Sequence, residues 1–94
     1  MKRAVIAGYS RSPFTMARKG ELIDVKPVNM FAEVVKNLVS KTKVNPGDIE
    51  DIVVGCAFQV GEQSFNIGKL TTFLSGMEIH TSGMTVDRWC GSSM

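Results

Sequence analysis

The chain has 94 residues, 44% of them hydrophobic and 21% charged, enough for one compact domain with a core and unlike the polar composition of disordered segments. Eleven Lys and Arg against nine Asp and Glu leave a net charge of +2 with scattered basic residues, which argues against a nucleic-acid partner. No apolar run nears the ~18 residues of a membrane span, and the stretch after Met1-Lys2-Arg3 is too short for a signal-peptide core, so a cytoplasmic protein with Cys56 and Cys90 as thiols is expected.

The first element is Arg3-Ala-Val-Ile-Ala-Gly8, short, β-branched and apolar on both phases, the pattern of a central parallel strand buried on both faces. Tyr9-Ser-Arg-Ser-Pro13 breaks it, and from Phe14 to Pro27 mixed charge, Gly20 and the lack of a period predict a surface loop. From Val28 onward Phe31, Val34, Val35, Leu38 and Val39 share one helical face, opposite Glu33, Lys36, Asn37 and Lys41. Asn45-Pro-Gly-Asp48 is a turn by composition, and Asp51-Ile-Val-Val-Gly-Cys-Ala-Phe58 repeats the buried-strand pattern, which completes a βαβ unit. A second helix is predicted over Asn66–Ser75, capped by Asn66 or Ser64, with Ile67, Leu70, Phe73 and Leu74 on one face and Gly76 at its end. Gly83-Met-Thr-Val-Asp-Arg-Trp89 reads as a third strand running into Cys90-Gly-Ser-Ser-Met94. The expected fold is α/β in the order βαβαβ, a mostly parallel three-stranded sheet with two helices, incomplete on its own.

A strand followed at once by Cys-Gly-Ser-Ser is how an alternating α/β chain turns into its next helix. That helix is not in the sequence, and its absence leaves early N–H groups and a sheet face uncovered. The expectation is the front piece of a longer protein.

Cys90 is the candidate catalytic residue. A thiol between a strand end and a helix start sits where main-chain N–H groups and the positive end of the helix dipole favour a thiolate and could hold an oxyanion. From position alone a buried structural cysteine is an equal reading. Cys56, inside an apolar strand, reads as structural, and His80, the only histidine, as a loop residue. Arg11-Ser-Pro13 reads as a turn before an anion site, Gln59, Glu62 and Gln63 as solvated loop residues, and Trp89 as packing before recognition.

Arg11-Ser-Pro13, Val53-Val-Gly-Cys-Ala-Phe-Gln-Val-Gly-Glu-Gln63, Asn66-Ile-Gly-Lys69 and Thr85-Val-Asp-Arg-Trp-Cys-Gly-Ser-Ser-Met94 together resemble the amino-terminal segment of thiolases, over essentially the whole chain. The ending is most similar to bacterial 3-ketoacyl-CoA thiolases of fatty-acid oxidation; biosynthetic acetoacetyl-CoA thiolases more often have Ser-Gly where Ser92-Ser93 stands. Asp87 departs from the family, which usually has Asn before the Arg, a change that bears on local hydrogen bonding and not on the nucleophile. Residues 1–94 would then be the amino-terminal portion of a thiolase N-terminal domain, ending at the nucleophile turn.

The resemblance implies that Cys90 attacks the 3-keto carbon of a 3-ketoacyl-CoA, that acetyl-CoA leaves, and that CoA resolves the acyl-cysteine. It implies no metal and no resident cofactor, with coenzyme A thioesters as substrates. The partners would be the remainder of the polypeptide, acyl-CoA and CoA, and further copies in a homodimer or homotetramer. The histidine, second cysteine and further oxyanion donors of the family lie in motifs beyond residue 94. Three other readings stay open: a biosynthetic acetoacetyl-CoA thiolase fragment, a nonenzymatic, truncated thiolase-like interaction domain, and an unrelated small α/β protein with a redox-active Cys90.

Overall fold

The computed structural model describes all 94 residues. Helix α1 (Pro27–Thr42) precedes strand β1 (Asp51–Gly55), helix α2 (Ile67–Leu74) and strand β2 (Ser82–Val86), with 3-10 turns at Pro46–Asp48, Gly61–Gln63 and Trp89–Gly91. Pro27 opens α1 at a position where a missing N–H costs nothing, and Lys43, left-handed at φ 57°, closes it. The expected apolar face of α1 is half-buried along its length, and Phe31 packs against the small core of Val54, Cys56 and Ile67.

Strands β1 and β2 pair in parallel, from Asp51 beside Ser82 to Gly55 beside Val86. One more bond extends the ladder at each end, Ser82 N–H to Glu50 O at 2.8 Å and Cys56 N–H to Val86 O at 2.9 Å. The crossover between them is α2, whose N-cap is Asn66. Its side-chain oxygen accepts from Lys69 N–H at 3.3 Å and from Thr85 Oγ1 at 2.8 Å, and its Nδ2 donates to Gly83 O at 3.0 Å. One amide thus ends the loop, starts the helix and ties it to β2, which offsets the cost of its own left-handed backbone at φ 55°.

The buried face of α2 differs from the expected one. Ile67 is buried, but the others are Gly68, Thr71, Thr72 and Ser75, while Leu70, Phe73 and Leu74 lie exposed. The reason is the closeness of approach. A Cβ on Gly83 would stand 2.6 Å from Gly68 O, and one on Gly68 would meet the Met84 backbone, so only the small-residue face of α2 fits against β2. The buried hydroxyls are satisfied within the helix: Thr71 Oγ1 donates to Ile67 O at 2.7 Å, Thr72 Oγ1 to Lys69 O at 2.7 Å and Ser75 Oγ to Thr71 O at 2.6 Å.

The α/β class stands, but the sheet has two strands rather than three. Residues 3–8, expected as a central strand, make no backbone hydrogen bond and are exposed, Val5 at 82% and Ile6 at 95%. They run past the C-terminal end of α1, where Lys41 Nζ donates to Tyr9 O at 3.4 Å and stands 4.9 Å from the Tyr9 ring centroid. Apolar β-branched residues favour extended backbone, but a strand exists only with a ladder partner and cover on its faces. Neither reaches this segment within the 94 residues.

Candidate active site

Strand β2 stops at Val86, three residues before the expected end at Trp89, because Asp87 turns its carboxylate back on the chain: Oδ1 accepts from Trp89 N–H at 2.8 Å. Trp89 takes a left-handed conformation at φ 51°, and Trp89–Gly91 forms a single 3-10 turn. Cys90 sits in the middle of that turn, exposed and unbridged, whereas Cys56 is buried at 8% exposure just past the end of β1. The contrast expected between the two thiols is present. Within the 94 residues the turn continues in 3-10 bonds, with Met94 N–H reaching Gly91 O at 3.2 Å.

Ser92 is the second organiser of the turn. It is 8% exposed; its Oγ accepts from Arg88 N–H at 2.8 Å and donates to Trp89 O at 2.7 Å, with Asp87 Oδ1 farther off at 3.4 Å. Gly91 N–H reaches Arg88 O at 3.0 Å and Ser92 N–H reaches Trp89 O at 3.2 Å. Of the five N–H groups from Arg88 to Ser92, only that of Cys90 has no acceptor. Beneath the turn lies Gly55, where a Cβ would collide with the Ser92 carbonyl and stand 2.5 Å from Ser93 N. The Ser92–Ser93 peptide therefore rests directly on the end of β1.

His80 does not approach Cys90. Its Nε2 pairs with Gly47 O at 3.0 Å, in the turn before β1, whereas Cys90 follows the far end of β2. Five strand residues separate the two levels by roughly 17 Å at ~3.3 Å per residue. Gln63 is held by its own loop, Nε2 to Phe58 O at 2.9 Å, and Gln59 and Glu62 are exposed. The Trp89 ring, expected to pack, is 71% exposed. The largest cavity, about 600 Å³, lies under the turn between Pro27, Phe31, Val54 and Ser93. It is lined by Cys56 and not by Cys90, so it belongs to the packing side of the turn and not to the thiol. No group of three His, Cys, Asp or Glu stands close enough to hold a metal ion.

Sequence reasoning missed Gly55 and Ser92 as organisers of the site, and marked Asp87 only as a departure bearing on local hydrogen bonding. The available signal was local: a short acceptor at Asp87 and a hydroxyl five residues on, flanking the cysteine, are the residue types that fold back on nearby N–H groups.

Comparison with known proteins gives a consistent answer. Residues 4–94 match the family model described as thiolase, N-terminal domain. The chain is 39% identical over its whole length to a 3-ketoacyl-CoA thiolase of Shewanella frigidimarina and 40% identical over 99% of its length to one of Psychrobacter arcticus, spanning 24% of each. Among solved structures, an acetyl-CoA acetyltransferase of Bacillus anthracis superposes on 94% of the chain with a TM-score of 0.81 and 27% identity, the match covering 22% of that enzyme. A thiolase of Ascaris suum, solved in complex with coenzyme A, covers 90% of the chain at a TM-score of 0.74, and at 20% identity shows the shared fold, over 21% of its own chain.

Proposed function

The chain belongs to the thiolase family through its N-terminal domain and spans about a quarter of the length of the relatives it matches, and from that premise we propose that it carries the nucleophile of a 3-ketoacyl-CoA thiolase. The observation that carries this reading is Cys90: an exposed thiol on the turn after β2, with its own main-chain N–H unspent. In the forward direction the Cys90 thiolate adds to the 3-keto carbon, and the carbonyl becomes an oxyanion. The bond between C2 and C3 then breaks, acetyl-CoA leaves as its enolate and is protonated at C2, and the shortened acyl group stays on Sγ as a thioester. The thiol of a second CoA loses its proton, attacks that thioester and releases the acyl-CoA, regenerating the thiolate. The Cys90 N–H is a donor for the oxyanion, since it has no competing acceptor to release first.

The general base and the second acid and base are assigned to the rest of the polypeptide, because His80 stands at the other end of the sheet and Cys56 is buried. No cofactor is needed beyond the CoA thioesters, which are substrates. The degradative direction is favoured by relatives named 3-ketoacyl-CoA thiolase at 36–40% identity. The condensing direction is the second reading, supported by the acetyl-CoA acetyltransferase similarity at 27%. No helix is long and apolar enough to cross a membrane; action in the cytoplasm as a homo-oligomer is part of the proposal and rests on the thiolase resemblance.

The test is a brief incubation of the intact protein with a 3-ketoacyl-CoA, followed by mass spectrometry of its peptides. The acyl mass should appear on Cys90 and not on Cys56, and Cys90→Ser should lower turnover by orders of magnitude, since a hydroxyl is almost never ionised near neutral pH. Acylation of Cys56, or full turnover in Cys90→Ser, would remove the proposal.

A further inference from the structure

Cys90 contributes nothing to the hydrogen bonding of its own turn; the residues on either side do all of it. Asp87 holds the Trp89 N–H, and Ser92 holds the Arg88 N–H and the Trp89 carbonyl. These contacts keep Trp89 at φ 51°, a conformation that a bulky residue leaves when its partners are removed. Ser92 cannot follow such a relaxation, because its peptide is seated on Gly55. Asp87 is exposed and Ser92 buried, so the clasp ties an otherwise solvent-facing turn to the sheet. Within Arg88–Ser92 it leaves over the free N–H of Cys90.

We propose that Asp87 and Ser92 are positioning residues for Cys90: their clasp on Arg88 and Trp89 holds the thiol and its N–H in one reactive arrangement. The inference rests on the assignment of Cys90 as nucleophile. What matters at Asp87 is the Oδ1 acceptor rather than the charge, because the bond it makes is to a neutral N–H. An amide side chain at 87 supplies the same acceptor, and a methyl group does not.

The experiment compares Asp87→Ala with Asp87→Asn in the intact protein. Residue 87 is exposed, so both variants should fold, whereas Ser92→Ala alters a buried group and serves as a second arm. Asp87→Ala should lower kcat roughly ten-fold or more with KM for the thioester unchanged, and slow iodoacetamide labelling of Cys90 relative to Cys56. Asp87→Asn should stay within about two-fold of the parent. Ser92→Thr, which keeps the hydroxyl, should retain more activity than Ser92→Ala. Equal losses in Asp87→Ala and Asp87→Asn, a change confined to KM, no change at all, or a loss that disappears on cooling along with a lowered Tm would each overturn the proposal. Labelling reads the turn without the reaction, so a failed nucleophile assignment, seen as full turnover in Cys90→Ser, is distinguished from a failed clasp.

Discussion

The segment before α1 and the β1–α2–β2 crossover are comparably apolar in sequence, yet they end in opposite states. Residues 3–8 are extended and exposed with no ladder bond, whereas the crossover brings glycine backbones to within van der Waals limits and caps its helix with an asparagine that also grips β2. Composition is not the difference. The crossover has a parallel partner within reach of one short helix, and the first segment has none among the 94 residues.

Substitution of glycine probes this contrast at matched cost, since each adds one methyl group. The largest effect is expected for Gly68→Ala, whose Cβ would collide with Met84 O and stand 2.6 Å from Met84 C, both backbone atoms that cannot step aside. A loss of about 3 kcal/mol or more, read as a lower denaturant midpoint of the intact protein, is the expected outcome; a neutral result would mean that α2 does not lie so close to β2. Next comes Asn66→Ala, which removes the helix cap and the grip on Gly83 and Thr85 and leaves a left-handed alanine. A loss of ~1–2 kcal/mol is expected in the same measurement, and Asn66→Gly should recover part of it by accepting the backbone angle.

The smallest effect is expected at Gly8. Its added Cβ would stand 2.6 Å from the side-chain carbon Thr42 Cγ2 rather than from backbone, and the exposed segment 3–8, which carries no ladder, can shift to make room. Gly8→Ala should therefore change stability by less than about 0.5 kcal/mol. A loss above ~1 kcal/mol would show that this segment is packed in the intact protein as a true strand, and the comparison with the crossover would collapse into a difference of context.

Much of the layout was legible beforehand. The i, i+3, i+4 spacing of Phe31, Val34, Val35, Leu38 and Val39 marked α1, Asn66 stood at the cap it occupies, and the different surroundings of Cys56 and Cys90 followed from apolar strand against small-residue turn. The face of α2 was not legible, because periodicity ranks residues by hydrophobicity while the contact selected them by size: Gly68, Thr71 and Thr72 fit where Leu70 and Phe73 do not. Residues 3–8 carry a strand's local preference without forming one, because local preference says nothing of a partner. The residue types at 87 and 92 suggested local folding back, but which N–H groups they take depends on where the oxygens point once Trp89 has turned left-handed.

The seat of the Ser92–Ser93 peptide on Gly55 also decides how motion is shared. With no side chain between them, there is no rotamer to absorb a displacement, so the end of β1 and the base of the cysteine turn move as one body. The Trp89 ring, 71% exposed, is free to fluctuate without carrying the thiol along. Displacement at the base of the Cys90 turn is thus tied to the end of β1 rather than to the exposed Trp89 side chain.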